Sequence, residues 1–293
     1  MTESKQLSFN SILEPYKKVI DQNLLSYIER LGPKNQLRDA CEYALLNGGR
    51  RFRPALVLMV AKALGYDADV VQAAMGIEFF HTASLIADDL PCMDNDAERR
   101  GKPTTHRIYG ESTALLATYT LIAAGYGCLV TNTQELKSSS VPYADQSDLL
   151  CVLALENATY NTGFCGASGG QYLDLFPPDF SLPTMREVIH KKTVVLFEIS
   201  FVMGWLFGGG SIGQLDLVKK SASHFGQAFQ MADDLDDMVQ DRVNPKSMNI
   251  ANVLGKEAAV LFLHEEIEQF NRTLKELKLD RSDLQALVQL LHR

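Results

Sequence analysis

Two groups of aspartates carry the strongest chemical signal in this chain: Asp88, Asp89 and Asp94 in "ADDLPCMDND", and Asp233, Asp234 and Asp237 in "MADDLDDMVQD". In the second group Asp233 and Asp237 stand at i and i+4. They share a helix face, with Asp234 beside them. Like charges at that spacing cost an isolated helix about 0.2–0.5 kcal/mol, and a bound cation removes the cost. A ligand set of oxygens alone, without cysteine or histidine, suits Mg²⁺, which keeps waters and shares itself with substrate phosphates. A single such group also fits a solvated helix face. In the first group Pro91 interrupts, so the helix ends or kinks there and a loop must carry Asp94 back. Both groups end long apolar segments. If those helices run side by side, their carboxylates face each other and repel unless metal ions lie between them.

Cations stand close to these acids in the chain. Arg50, Arg51 and Arg53 follow Gly48-Gly49, Arg99 and Arg100 follow the first acidic group, and "HKKT" supplies His190, Lys191, Lys192 and Thr193. Guanidiniums grip phosphate with two parallel hydrogen bonds, and glycines let backbone amides come near it. Each cluster alone is also an ordinary surface patch. Together with the carboxylates they fit a diphosphate held by Mg²⁺ on one side and by Arg and Lys on the other. His81, seven residues before Asp88, lies on nearly the same helix face, as a core histidine or as a donor to phosphate. In "SGGQYLDL" Gly169, Gly170, Gln171 and Asp174 mark a bend that serves either packing or function.

The elements that must position these groups are helical. "ILEPYKKVIDQNLLSYIERL" places Ile12, Ile20, Leu24, Leu25 and Ile28 on one face. "VVQAAMGIEFFHTASLIADDL" and "STALLATYTLIAAGYGCLV" are apolar almost throughout, as helices central to a bundle are. Thr184-Met-Arg-Glu187 reads as a capping box opening a helix to about Gly208. No alternating period-2 run appears, so no sheet is expected. The loops are short, which predicts an all-α chain with a single domain over residues 1–293 and ten or more helices.

Composition excludes several classes. Hydrophobic residues make up 46% and charged residues 22% of 293, ordinary globular values. A net charge of −8 argues against a nucleic-acid partner. Five scattered cysteines (Cys41, Cys92, Cys128, Cys151, Cys165) show neither zinc spacing nor a disulfide framework, which favours a reduced cytoplasmic setting. "MTESKQLSFN" has no signal-peptide pattern. "VVLFEISFVMGWLFGGG" is interrupted by Glu198 and falls short of the roughly 18 apolar residues of a membrane span, so no transmembrane segment is expected.

The order GGRRFRP, DDLPCMDND–RRG, GGQYLDL, HKKT, FQMADDLDD over about residues 40 to 260 resembles the trans-isoprenyl diphosphate synthases, also called polyprenyl synthetases. The resemblance implies an isoprenoid-synthase helical bundle around a central cavity, usually a homodimer. It implies a prenyltransferase that joins isopentenyl diphosphate to an allylic diphosphate (dimethylallyl, geranyl or farnesyl) by ionisation, condensation and proton loss. Three Mg²⁺ ions are implied on Asp88, Asp89, Asp94, Asp233, Asp234 and Asp237. Carried over by motif, Arg50, Arg53, His81 and Arg100 hold isopentenyl diphosphate, and Arg99, Lys192, Thr193 and Gln230 hold the allylic diphosphate. Lys246 stands where the family carries lysines after its second aspartate motif, although the loop here is short and a second lysine is missing.

The resemblance also bears on product length. The family places a bulky floor four or five residues before the first aspartate, and here those positions are Ser84 and Ala83, both small. With two extra residues in the first aspartate motif, they point to geranylgeranyl diphosphate, C20. Where the family often carries AGDAL after the first motif, this chain reads Leu116-Ala117-Thr118-Tyr119-Thr120-Leu121, and an intrusion of Tyr119 on the cavity would offset the small Ala83. Farnesyl or longer products, a class I terpene cyclase and a non-catalytic partner subunit are the other readings. Aspartates on both motifs and the GGRRFRP run weigh against the last two.

Overall fold

The computed structural model describes residues 9–241, 249–280, 282–289 and 291. They form two compact units. One comprises Asn10–Glu156 with Met203–Gly209, the other Asn157–Val202 with the described residues from Gly210 onward and Phe9.

The first unit is built on α1 (Phe9–Tyr27), α2 (Gln36–Leu46), α3 (Phe52–Leu64) and α4 (Val71–Asp88). The hairpin β1 (Glu98–Arg99) and β2 (Lys102–Pro103) follows, then α5 (Thr105–Tyr109), α6 (Glu111–Lys137) and most of α7 (Ser147–Thr162). The Asn35 side chain accepts from Arg38 N at 3.0 Å and so starts α2. The apolar helix α4 packs chiefly against α6. Met75, Ile77, Phe79 and Phe80 are all at most 4% exposed, and each contributes about 1.5–3 kcal/mol by leaving water. The rings of Phe80 and Tyr126 meet at 4.9 Å across this contact.

By length and composition alone α6 is apolar enough to span a membrane, a test that the core helix of a bundle also passes, so this single helix does not overturn the expectation of no transmembrane segment. The face carrying Ala114, Ala117, Leu121 and Leu129 is buried within the unit, whereas Leu116, Tyr119 and Val130 are exposed. One expectation needs correction, and it concerns β structure. Glu98 pairs with Pro103 and Arg99 with Lys102 in an antiparallel hairpin. Its two turn residues, Arg100 (φ 56°) and Gly101 (φ 73°), both take the left-handed conformation that matches strand twist in a two-residue hairpin. Two-residue strands are too short to show a period of two.

The second unit contains α8 (Ala167–Leu175), α9 (Leu182–Ile189), a π-helical turn (His190–Val194), the first part of α10 (Val195–Phe207), α11 (Leu215–Asp236), α12 (Met238–Asp241), α13 (Ile250–Leu254), α14 (Lys256–Glu276) and α15 (Asp283–Gln289). Phe197, Phe201, Phe225 and Phe270 form an aromatic core where α10, α11 and α14 meet, with neighbouring centroids 5.1–5.9 Å apart. Within apolar α10, Glu198 is satisfied: its Oε1 accepts from Asn157 Nδ2 at 2.7 Å and Asn161 Nδ2 at 2.9 Å. The cap of α9 is Ser181, whose Oγ accepts from Thr184 N at 3.4 Å. The helix therefore opens three residues before the expected Thr184 box, and Glu187 pairs with Lys191 at 2.7 Å instead of reaching back. It also does not run unbroken to Gly208, because the π turn divides α9 from α10.

Candidate active site

The first aspartate motif is assembled at the C-terminal end of α4. The helix ends at Asp88, and a turn through Pro91 brings the Asp94 amide back to donate to the Asp88 carbonyl at 2.9 Å. Proline thus ends the helix and the loop returns Asp94, as the sequence predicts. Asp89 is buried, and Nε and Nη2 of Arg99 both lie 2.6 Å from its Oδ1. Burial pushes the Asp89 carboxyl upward, and the Arg99 hydrogen bond opposes that shift. Nη2 of Arg99 also reaches Asp96 Oδ2 at 3.2 Å. The main-chain oxygen of Asp96 accepts from Thr104 Oγ1 at 2.8 Å, which ties the loop to the base of the hairpin.

The hairpin turn carries Arg100 to the glycine loop. Its Nη1 donates to Gly48 O at 2.7 Å, and a Cβ on Gly49 (φ 113°) would meet the guanidinium at 2.6 Å, so a larger residue there is strained and must displace Arg100. On the other side of the loop Nη1 of Arg53 lies 3.3 Å from Nε2 of His81. Burial, together with the charges of Arg53, Arg100, Arg99 and Arg51, lowers the His81 pKa well below its usual value, so the ring is neutral. The structure therefore joins Arg53 to His81 and Arg100 to the Gly48–Gly49 turn. Arg50 extends from the same loop and is exposed, and Arg51 points the other way and is buried.

In the second unit the HKKT residues make up the π turn, a rare winding often found at functional sites. Lys192 forms an ion pair with Asp174 of α8. A Cβ on Gly170 would lie 2.7 Å from Lys191 Cβ and 3.0 Å from Lys192 N, so α8 reaches the π turn only because residue 170 is glycine. Thr193 Oγ1 donates to Gln230 Oε1 at 3.0 Å, and Gln230 Nε2 donates to Asp234 Oδ1 at 2.9 Å. Asp234 Oδ2 accepts from Ile250 N at 2.9 Å, and its main-chain oxygen accepts from Asn249 Nδ2 at 2.7 Å. Asp234 thus ties α11 to α13, a task its place in the motif does not reveal. Asp233 precedes it on α11, and the Asp237 amide, just past the helix end, donates to Asp233 O at 3.0 Å. A cavity of about 300 Å³ beside Gln230 and Asp234 is lined also by Arg186, His190 and Phe262. Lys246 lies outside the described residues.

The polyprenyl synthetase family model matches residues 34–257, about three quarters of the chain. The chain belongs to this family. A farnesyl diphosphate synthase of Geobacillus stearothermophilus is 37% identical over 236 residues, which is 80% of this chain and 76% of that protein. Geranylgeranyl pyrophosphate synthase 4 of Arabidopsis thaliana is 35% identical, covering 87% of this chain and 68% of that protein. Among solved structures, an FPP/GFPP synthase from Zymomonas mobilis superposes with a TM-score of 0.80 at 28% identity, covering 97% of this chain and 98% of that one. This member of the polyprenyl synthetase family is a prenyltransferase with an all-α fold.

The residues of this polyprenyl synthetase suit Mg²⁺ in the chemistry of their donors. Among the described residues no group of three or more His, Cys, Asp or Glu side chains is arranged so as to hold a metal ion by itself. Carboxylates in partial sets leave coordination positions to water and phosphate, which is how Mg²⁺ is ordinarily held. Sequence reasoning left Gln171 and Asp174 undecided. Asp174 is the partner of Lys192, and both polar atoms of the Gln171 side chain are buried without a partner. Tyr119 is 59% exposed on α6 and fills no interior space of its unit.

Proposed function

We propose that this prenyltransferase condenses isopentenyl diphosphate with an allylic diphosphate and releases geranylgeranyl diphosphate. The observation that carries the proposal is a continuous chain of contacts in the first unit. It runs from Asp89 to Arg99, through the hairpin turn to Arg100, and on to the Gly48 carbonyl. Acceptors suited to metal and donors suited to phosphate are thereby held on one connected set of elements.

In this reading Arg50, Arg53, His81 and Arg100 bind isopentenyl diphosphate, the guanidiniums by charge and His81 by its ring N–H. Arg99, Lys192, Thr193 and Gln230 bind the allylic diphosphate. Asp88, Asp89, Asp94, Asp233, Asp234 and Asp237 would hold Mg²⁺, three ions by analogy with the family; Asp89 and Asp234 also keep protein donors. A metal ion held by these carboxylates would supply charge neutralisation for the departing diphosphate. Lys192, anchored by Asp174, adds a fixed positive charge to the same leaving group. The departing diphosphate takes the final proton, so no side chain is assigned as base.

Support for the C20 product comes from Ala83, which is 1% exposed on α4, and from Ser84 beside it. Both are small at positions where, by analogy with the family, a bulky residue would shorten the product. Geranylgeranyl synthases among the relatives agree with this reading, whereas the Geobacillus relative favours farnesyl diphosphate as the second one. A homodimer is part of the proposal, supported by the exposed apolar side chains Leu116, Tyr119 and Val130 on α6 and Leu149 and Val152 on α7. Chromatography of the dephosphorylated products from each allylic starter with isopentenyl diphosphate tests it. Accumulation of C20 supports the reading, and termination at C15 selects the second.

A further inference from the structure

The run Gly48–Arg53 contains three arginines, and the structure treats one of them differently. Arg51 is 4% exposed, and its guanidinium is spent entirely inside the first unit. Nε donates to Asp21 Oδ1 of α1 at 2.7 Å, Nη1 to Glu78 Oε1 of α4 at 2.6 Å, and Nη2 to the Leu45 carbonyl of α2 at 2.6 Å. Glu78 is 2% exposed, and Asp21 is paired in addition with Lys17. Two cations and two carboxylates make a neutral network joining three helices. Arg51 stands at the N-cap of α3 with φ 53°, a left-handed conformation unfavourable for a side chain of this size.

Neither feature suits a role in stability alone. Buried ion pairs seldom stabilise a protein more than an apolar replacement of equal volume does, and left-handed arginine adds strain. The geometry of α4 supplies a different purpose. Glu78 and His81 stand at i and i+3, one above the other on the helix. Arg51 bonds Glu78, and Arg53, two residues on, lies 3.3 Å from His81. The loop is thus fixed to α4 at two successive points, Glu78 and His81.

We propose that Arg51, locked by Glu78 and Asp21, is a positioning residue that sets the register of the Gly48–Arg53 loop on α4. In doing so it presents Arg50 and Arg53 to the diphosphate of isopentenyl diphosphate. This inference rests on the proposed function for its substrate. It assigns the three arginines to two tasks that their adjacent places in the sequence do not separate.

The test compares Glu78→Gln, Arg51→Lys and Asp21→Asn with the parent protein. In each, KM is measured separately for isopentenyl and farnesyl diphosphates, together with kcat and calorimetric binding of inorganic pyrophosphate. Glu78→Gln and Arg51→Lys are expected to raise KM for isopentenyl diphosphate about tenfold or more and to weaken pyrophosphate binding. KM for farnesyl diphosphate should stay within about twofold. Asp21→Asn, at a partly exposed position, should give a smaller shift in the same direction and keeps the test usable if a buried variant does not fold. Equal changes in both KM values, or a lower melting temperature with both KM values unchanged, overturn the proposal. If the parent protein elongates no allylic diphosphate, the functional reading fails on its own. Pyrophosphate binding then still decides the positioning role: weaker binding in a folded Glu78→Gln protein sustains it, and unchanged binding refutes it.

Discussion

Nη1 of Arg53 lies 3.3 Å from Nε2 of His81, and that contact determines which proton the imidazole carries. A guanidinium only donates, so Nε2 is the acceptor and the single ring proton of the neutral histidine sits on Nδ1. Nδ1 is buried without a protein partner, which leaves its N–H for a ligand. His81→Ala should raise KM for isopentenyl diphosphate about tenfold or more, as loss of a hydrogen bond to a charged group does. Nitrogen NMR should find Nδ1 protonated and the ring neutral at pH 6.5. The unfolded chain protonates its histidine first, because the folded pKa is the lower one. His81 therefore contributes stability above about pH 6.5 that is lost as pH falls through and below that value. A His81→Asn protein should show a smaller loss of melting temperature between pH 7 and pH 5 than the parent.

Gly170 is where α8 touches the π turn. Gly170→Ala puts a methyl group 2.7 Å from Lys191 Cβ and must displace the turn that carries Lys192 and Thr193. Overpacking of this kind costs about 1–3 kcal/mol of stability. The expected result is a protein that melts a few degrees lower, with kcat reduced well beyond what that loss explains. Single-turnover kinetics at a temperature where the variant is fully folded separate the two effects.

Asp174→Asn leaves Lys192 without its anchor. A cation free to swing gives less help to a leaving group than a fixed one. We expect kcat to fall about tenfold with KM for isopentenyl diphosphate unchanged, because Arg53, His81 and Arg100 belong to a different set of elements. Steady-state kinetics with each substrate varied in turn check this.

Ala83→Tyr puts a bulky ring just over one helical turn before Asp88, the position of the floor proposed by analogy with the family. The product should shorten from C20 toward C15, at a stability cost of about 1–3 kcal/mol, since the site is almost fully buried. Product chromatography checks it, and an unchanged C20 product would place the floor of the pocket elsewhere.

Tyr119→Glu puts a charge in the exposed apolar face of α6. Light scattering should find a dimer for the parent and a monomer for the variant. A parent already monomeric at micromolar concentration removes the homodimer from the proposal.

The helix end before Asp94 and the fold class were legible in the chain. Pro91 ends or kinks any helix it interrupts, so the return of Asp94 toward Asp88 followed from one residue. The all-α class followed from apolar periodicity that the helices then displayed. Contacts made across the fold were not legible. Nothing in "GGRRFR" distinguishes the buried Arg51 from the exposed Arg50, because the difference lies in Asp21 and Glu78, which are distant in sequence. The same holds for Asp174 with Lys192, and for Asp234, whose motif suggests metal while its carboxylate already holds Gln230 and the start of α13. Ser181 took the cap assigned to Thr184 because Ser and Thr both suit that role and only backbone geometry chooses between them.

The most direct test of the account is one incubation. Purified protein is given Mg²⁺, farnesyl diphosphate and isopentenyl diphosphate, and the dephosphorylated products are separated by chain length, with parallel samples containing EDTA, Asp88→Ala or Asp233→Ala. The account predicts geranylgeraniol from the complete mixture and losses of about a thousandfold or more in the other three, the scale at which charge stabilisation in a transition state operates. A folded protein that forms no elongated product, or that yields a hydrocarbon from farnesyl diphosphate without isopentenyl diphosphate, would contradict it.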